Sequence, residues 1–197
     1  TCEAARRVSA LNRIVVSTDD PPLAGVAKEA GVEVPFLRPA ALATDTASAT
    51  DVVLHCLDWF RRTNRWQPDA ILLLQPTSPL RNSQDIEQAI DLFHAKKASA
   101  VVSVSPTAHP AEWLKRVDEE GHLLPYSDQK NLPERRQAAL PAYELNGAIY
   151  LIETKVFLSE KTFNPKGTCS YVMPRERSLD VDTPWDLFLA DLILSAR

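Results

Sequence analysis

The apolar positions of this chain follow two rhythms that take turns. RIVVS (Arg13 to Ser17), ILLL (Ile71 to Leu74) and SAVVSVS (Ser99 to Ser105) are short β-branched or leucine runs of the buried-strand kind. Between them, Val52, Val53, Leu57 and Phe60, and then Ile86, Ala89, Ile90 and Phe93, recur at helical spacing. Asp20 ahead of Pro21 and Pro22 supplies an N-cap and a proline at the first helical position, and Gly31 stops that helix before the extended segment VEVPFL. Asn82 or Ser83 caps the helix that carries Ile86. Strand, helix, strand, helix with buried-type strands predicts an α/β fold in three layers, a mostly parallel sheet with helices on both faces.

The alternation breaks between Pro106 and Pro141. WLKRVDEEGHLLPY predicts a hairpin turning near Glu120 and Gly121, followed by a polar segment with Glu134, Arg135 and Arg136. The expectation is one domain over residues 1–197 with a protruding β-arm at about 106–141. The core resumes with NGAIYLIE, and Thr183, Pro184, Trp185 and Asp186 open a last amphipathic helix. TCEAARRVSAL reads as helix with no strand before it. None of the 5 glycines belongs to a G-x-G-x-x-G or G-x-x-x-x-G-K-[ST] loop. The expectation is that a first strand and its phosphate-binding turn are missing from this chain, and that the chain alone is inactive or nearly so.

Composition narrows the chemistry. A formal net charge of −4 argues against a duplex-wrapping nucleic-acid binder, so an anionic ligand must be met by local arginines, lysines or a metal. Three cysteines, far apart and without C-x-x-C, argue against a disulfide framework or a structural zinc site and fit a reducing cytoplasm. The four histidines show no ligand spacing. No apolar run approaches the ~18 residues of a membrane span, and no signal peptide is visible.

Three constellations carry candidate chemistry. In QPTSPLR, Pro76 and Pro79 end strand pairing and stiffen the backbone, presenting Gln75, Thr77, Ser78 and Arg81 at the carboxyl end of what reads as a central parallel strand. That is where open α/β sheets bind ligands. The same stretch also reads as a rigid connection whose hydroxyls cap backbone groups. In ERSLDVDTPWD, Asp180 and Asp182 project from one face of an extended segment, a pairing that suits Mg²⁺ with its oxygen ligands. Asp182 alternatively supports the helix start at Thr183. In RPAALATDTASATD, Arg38, a cluster of hydroxyls around Ser48 and Asp45 precede a helix, a place to meet a phosphate or a base edge, or simply an N-capping loop.

Taken in order, VVSTDD, RPAALATDTAS, LLLQPTSPLR, NGAIY and RSLDVDT closely resemble the acylneuraminate (CMP-sialic acid) cytidylyltransferases and their relatives that activate legionaminic or pseudaminic acid. The resemblance covers nearly the whole chain. CMP-Kdo synthetases differ where QPTSPLR stands, which favours the nine-carbon sugar branch. The resemblance implies a Rossmann-like α/β/α nucleotide-diphospho-sugar transferase fold, working as a homodimer through the arm. It implies CMP transfer from CTP to a nine-carbon acidic sugar, with release of pyrophosphate. Asp180 and Asp182 match the magnesium-binding aspartates, Gln75 and Asn146 match sugar contacts, and Arg136 matches an arginine directed at the sugar carboxylate. Arg38 and the Ser48 region match the part that holds the cytidine nucleotide. The glycine- and lysine-rich loop of the family's first motif is absent here, Glu112 stands near an expected lysine, and Glu144 replaces an arginine two residues before Asn146. The alternatives are a nucleotidyltransferase for another sugar or nucleotide, or a non-catalytic dimeric sugar-nucleotide-binding relative.

Overall fold

A computed structural model of the chain describes residues 1–126 and 140–196. In chain order the elements are α1 (Cys2–Arg6), α2 (Pro21–Glu29), α3 (Ala49–Asn64), β1 (Ala70–Leu73), α4 (Ser83–Lys96) and β2 (Ala100–Pro106). They continue with β3 (Lys115–Val117), β4 (Leu123–Pro125), β5 (Tyr143–Glu153), α5 (Thr154–Glu160), β6 (Cys169–Val172) and α6 (Pro184–Ser195). The helix starts follow the capping chemistry of the sequence. Asp20 accepts from the Leu23 N–H ahead of α2, and Asn82 and Asp85 form a reciprocal capping box on α4.

The main sheet runs β1-β5-β2-β6. Its side chains alternate between two apolar layers. Val101 and Leu151 pack with Val8, Ile86, Ala89 and Phe93 against α4 and the segment after α1. Ala100 and Ile152 pack with Phe157 of α5 and with Val53 and Leu57 of α3. Helices therefore cover both faces, as the alternation predicted.

Two details depart from the sequence reading. β5 is antiparallel to both of its neighbours, while β1, β2 and β6 share one direction. The reason lies in the arm. Pro106 at the end of β2 pairs with Tyr143 at the start of β5, so the two strands are the limbs of a hairpin, which needs no crossover helix. The second departure is that β1 is an edge strand among the described residues and is half-buried throughout, not central. RIVVS and VEVPFL meet only through isolated parallel bridges, Val15 with Glu33 and Thr18 with Leu37.

The arm carries the β3–β4 hairpin as a separate two-stranded sheet, with the turn closed by the Gly121 N–H on the Asp118 carbonyl. Trp113, Leu114, Val117, Leu123 and Tyr126 are exposed on it. Helix α6 is not amphipathic as expected. Trp185, Leu187, Phe188, Leu192 and Leu194 are exposed around it, and Ala190 is its buried residue. No helix among the described residues is long and apolar enough to cross a membrane.

Candidate active site

The pairing of β2 with β5 slips between Val102 and Val104, and the surplus residues of β5 are those of Asn146-Gly147-Ala148-Ile149. Gly147 sits there at φ 69°, a left-handed conformation that glycine adopts without strain. The space a Cβ would fill is taken. Asp180 Oδ2 lies 2.8 Å and Gln75 Oε1 2.9 Å from that position. Gly147 thus lets a carboxylate and an amide oxygen, delivered from two distant loops, close on the same point of backbone.

Asp180 is only half-buried as a residue, yet its Oδ1 is buried with no hydrogen-bond donor among the described residues. A carboxylate oxygen in that state is costly unless something positive meets it. A carboxylate oxygen is the kind of donor a hard divalent cation takes. Nearby, burial and the Asp180 charge both hold the Tyr150 phenol above its ordinary pKa.

Several bonds fix the Asp180 segment. The Val181 N–H donates to the Thr77 carbonyl at 2.8 Å, joining SLDVD to the QPTSP turn. Ser178 Oγ accepts from Asn146 Nδ2 at 2.9 Å and donates to the Pro174 carbonyl at 2.8 Å. Arg177, one residue earlier, grips the fully buried Asp85 through Nε at 2.9 Å and Nη2 at 2.8 Å. Tyr171 adds its hydroxyl to Asp85 at 3.1 Å. Burial and the adjacent Asp85 charge push that phenol up to about 12, and the same carboxylate raises the Arg177 guanidinium.

The sequence-predicted residues are placed as follows. Gln75 and Asp180 are brought together over Gly147. Asp182 is exposed, and Asp186, not Asp182, closes the capping box with Thr183 at the start of α6. Asn146 is 4% exposed, and its amide is spent internally. Its Oδ1 accepts from Ser103 Oγ at 2.6 Å and from the Ala148 N–H at 3.2 Å, while Nδ2 reaches Ser178 and Met173. In this geometry it braces the bulge. Ser78 and Arg81, expected to be presented at the strand end, are turned inward and buried. Ser48 is the N-cap of α3, accepting from the Asp51 N–H at 3.0 Å and donating to its carboxylate at 2.7 Å. Arg38 is committed to the Ser17 hydroxyl and carbonyl and to the Leu42 carbonyl. Arg136 lies outside the described residues.

The sequence reading did not single out Gly147, although an N-G pair inside a strand pattern is a bulge signal. Nor did it find Asp85 or Arg177, whose partnership spans 92 residues. Asp118, Glu120 and His122 also approach one another within 4.8 Å at the arm's turn, where Asp118 already accepts the His122 N–H.

Comparison with known proteins gives this geometry its context. The family described as Cytidylyltransferase matches residues 1–176. The CMP-N,N'-diacetyllegionaminic acid synthase of Legionella pneumophila is 35% identical over 195 residues, 98% of this chain and 83% of that protein. An N-acylneuraminate cytidylyltransferase of Escherichia coli O18:K1:H7 is 31% identical over 96% of this chain and 44% of its own length. A solved structure of CMP:2-keto-3-deoxy-manno-octonic acid synthetase complexed with CTP superposes with a TM-score of 0.66 at 17% identity, over 99% of this chain and 86% of that one, a likeness of fold. The chain is a member of the cytidylyltransferase family.

Proposed function

We propose that the chain transfers CMP from CTP to a nonulosonic acid of the sialic, legionaminic or pseudaminic type, releasing pyrophosphate. The observation that carries this reading is the meeting of Gln75 and Asp180 over Gly147, with one Asp180 oxygen buried and unpartnered among the described residues. The relatives named for legionaminic, acylneuraminic and pseudaminic acids support the substrate class.

In this reading Asp180 and Asp182 hold Mg²⁺, which when bound neutralises charge on the transferring phosphates. Gln75 orients the sugar, and Asn146 serves it indirectly by bracing the bulge. The nucleotide lies along the loop that Arg38 and Ser48 brace. The anomeric hydroxyl attacks the α-phosphate in line, forming the new P–O bond as the bond to pyrophosphate breaks and its proton passes to solvent. Positioning supplies most of the acceleration, and no histidine is needed as base. The setting is cytoplasmic, in keeping with three free cysteines.

The test is Asp180→Asn and Asp182→Asn in the full-length protein. Turnover should fall by about 10²–10³-fold, the scale for losing one group that meets charge in the transition state. The unfolding midpoint of Asp180→Asn should hold or rise, because the variant removes a charge from a poorly solvated place. Unchanged magnesium dependence in both variants would refute the metal assignment.

The homodimer belongs to the same proposal. The exposed Trp113, Leu114 and Leu123 of the arm form a patch suited to a second copy around a two-fold axis, and the role proposed for Arg136 is to meet the sugar carboxylate. Light scattering should give twice the chain mass at micromolar concentration, and Arg136→Ala should raise KM for the acidic sugar more than for CTP. A monomer would sink the arm's assignment.

A further inference from the structure

We propose that Arg81 is a positioning residue whose guanidinium locks the end of β1 in register against β5, and thereby sets where the Gln75 amide meets the sugar. The proposal rests on the sugar-site reading of Gln75 given above, but the clamp itself is a separate claim.

Arg81 is 3% exposed, and no carboxylate among the described residues lies within ion-pair distance of it. Burial lowers its pKa to about 10, and its Nε is buried without a partner among the described residues. For packing alone an apolar side chain would be better there, so the arginine has to be explained by what its donors do. They go to backbone. Nη1 donates to the Ala148 carbonyl and, at 3.3 Å, to the Gln75 carbonyl, while Nη2 donates to Thr1 Oγ1 at 2.8 Å.

Those two carbonyls belong to residues that would face each other two steps further along the ladder. In β1 and β5, Ala70 pairs with Glu153, Ile71 with Ile152, Leu72 with Leu151 and Leu73 with Tyr150. Continuing the count sets Gln75 opposite Ala148. The ladder is not closed there, because the Ala148 N–H is spent on Asn146 Oδ1 at 3.2 Å. One guanidinium replaces it, holding both carbonyls from a single rigid group. The neighbour of Ala148 is Gly147, where the Gln75 side chain arrives. Arg81 therefore fixes the backbone that carries the amide, without itself touching substrate.

The experiment is a double-mutant cycle in the full-length protein. Arg81→Lys keeps the charge but loses the fork. It should raise KM for the acidic sugar about tenfold while KM for CTP stays within about twofold. In a Gln75→Ala background the same substitution should have almost no effect on either constant. An equal rise in that background, or both constants rising together in Arg81→Lys, would overturn the proposal. If Gln75→Ala alone leaves the sugar KM unchanged, the sugar-site reading fails. The clamp is then judged by the Gln75 side-chain amide NMR signal, which must move in Arg81→Lys; an unmoved signal overturns it. Should Arg81→Lys not fold, the wild-type protein decides. The Arg81 Nη hydrogens must give separate, slowly rotating NMR signals, and a rotationally averaged guanidinium overturns the clamp.

Discussion

Helices α4 and α6 open with the same device. Asn82 with Asp85, and Thr183 with Asp186, each form a capping box in which the third helical residue answers the N-cap. Their surroundings are opposite. α4 buries Asp85, Ile86, Ala89 and Phe93 against the sheet, whereas α6 buries Ala190 and leaves Trp185, Leu187, Phe188, Leu192 and Leu194 exposed. A capping box fixes where a helix begins and says nothing about what the helix will touch. The contrast is sharpest at the two acidic residues. Asp186 serves its own helix end, while the fully buried Asp85 also receives Arg177 and Tyr171 from 86 to 92 residues away. Through Arg177, the start of α4 fixes the turn that leads into Asp180.

The largest test of that contrast is Asp85→Ala. It removes the box, the ion pair and the Tyr171 partner together. Breaking a buried pair by deleting one member leaves the other uncompensated, and a destabilisation of about 4–5 kcal/mol is expected by urea unfolding. Arg177→Met should recover part of that loss when combined with Asp85→Ala, since the stranded guanidinium is gone. An Asp85→Ala protein as stable as wild type would show that the Asp85–Arg177 pair contributes no more than a surface contact.

Packing sets the second comparison. Ile86 is fully buried on α4, so Ile86→Ala should cost about 3 kcal/mol, the transfer and cavity terms combined. Leu192 on α6 is 56% exposed, and Leu192→Ala should stay within about 0.5 kcal/mol in the monomeric chain. A large loss at Leu192 would show that α6 is covered in solution, and would erase the difference between the two helices.

Much of this scaffold was legible in the sequence because it is locally encoded. Asp20 before two prolines, Asn82 before Asp85, and the helical spacing of Ile86, Ala89 and Phe93 each state their structure within a few residues. The reversal of β5 was not legible, since NGAIYLIE is apolar enough for either direction and only the pairing of Pro106 with Tyr143 reveals the hairpin. At the site, Gln75 and Asp180 could be nominated from QPTSPLR and SLDVD. Their meeting at Gly147 could not, because it depends on a bulge and on three segments far apart in sequence. Asn146 and Arg81 teach the same lesson in reverse. Both are polar residues in conspicuous motifs, and both are turned inward to hold backbone and side chains in place.

The smallest effect expected is at Asp186, and its sign can be worked out. Its carboxylate accepts the Thr183 hydroxyl at 2.6 Å and the Thr183 N–H at 2.8 Å, with the Asp182 N–H at 3.3 Å. The Thr183 side-chain bond, then the Thr183 backbone bond, hold its pKa below the ordinary 3.8. A carboxyl whose folded pKa is depressed binds its proton less readily in the folded state than in the unfolded state. Its contribution is therefore fully present above the unfolded value and is lost as pH falls through the folded one. Asp186→Asn removes that dependence while keeping an amide oxygen for the cap. The stability difference between wild type and variant should be constant from neutral pH down to about 5, then shrink toward zero as the pH falls below 3.8. Asp85→Asn, measured alongside, should show a gap several times larger at neutral pH, because the fully buried carboxylate is the counter-charge of Arg177 and the partner of Tyr171. Equal gaps for the two variants would mean that burial makes no difference to what the third residue of a capping box contributes.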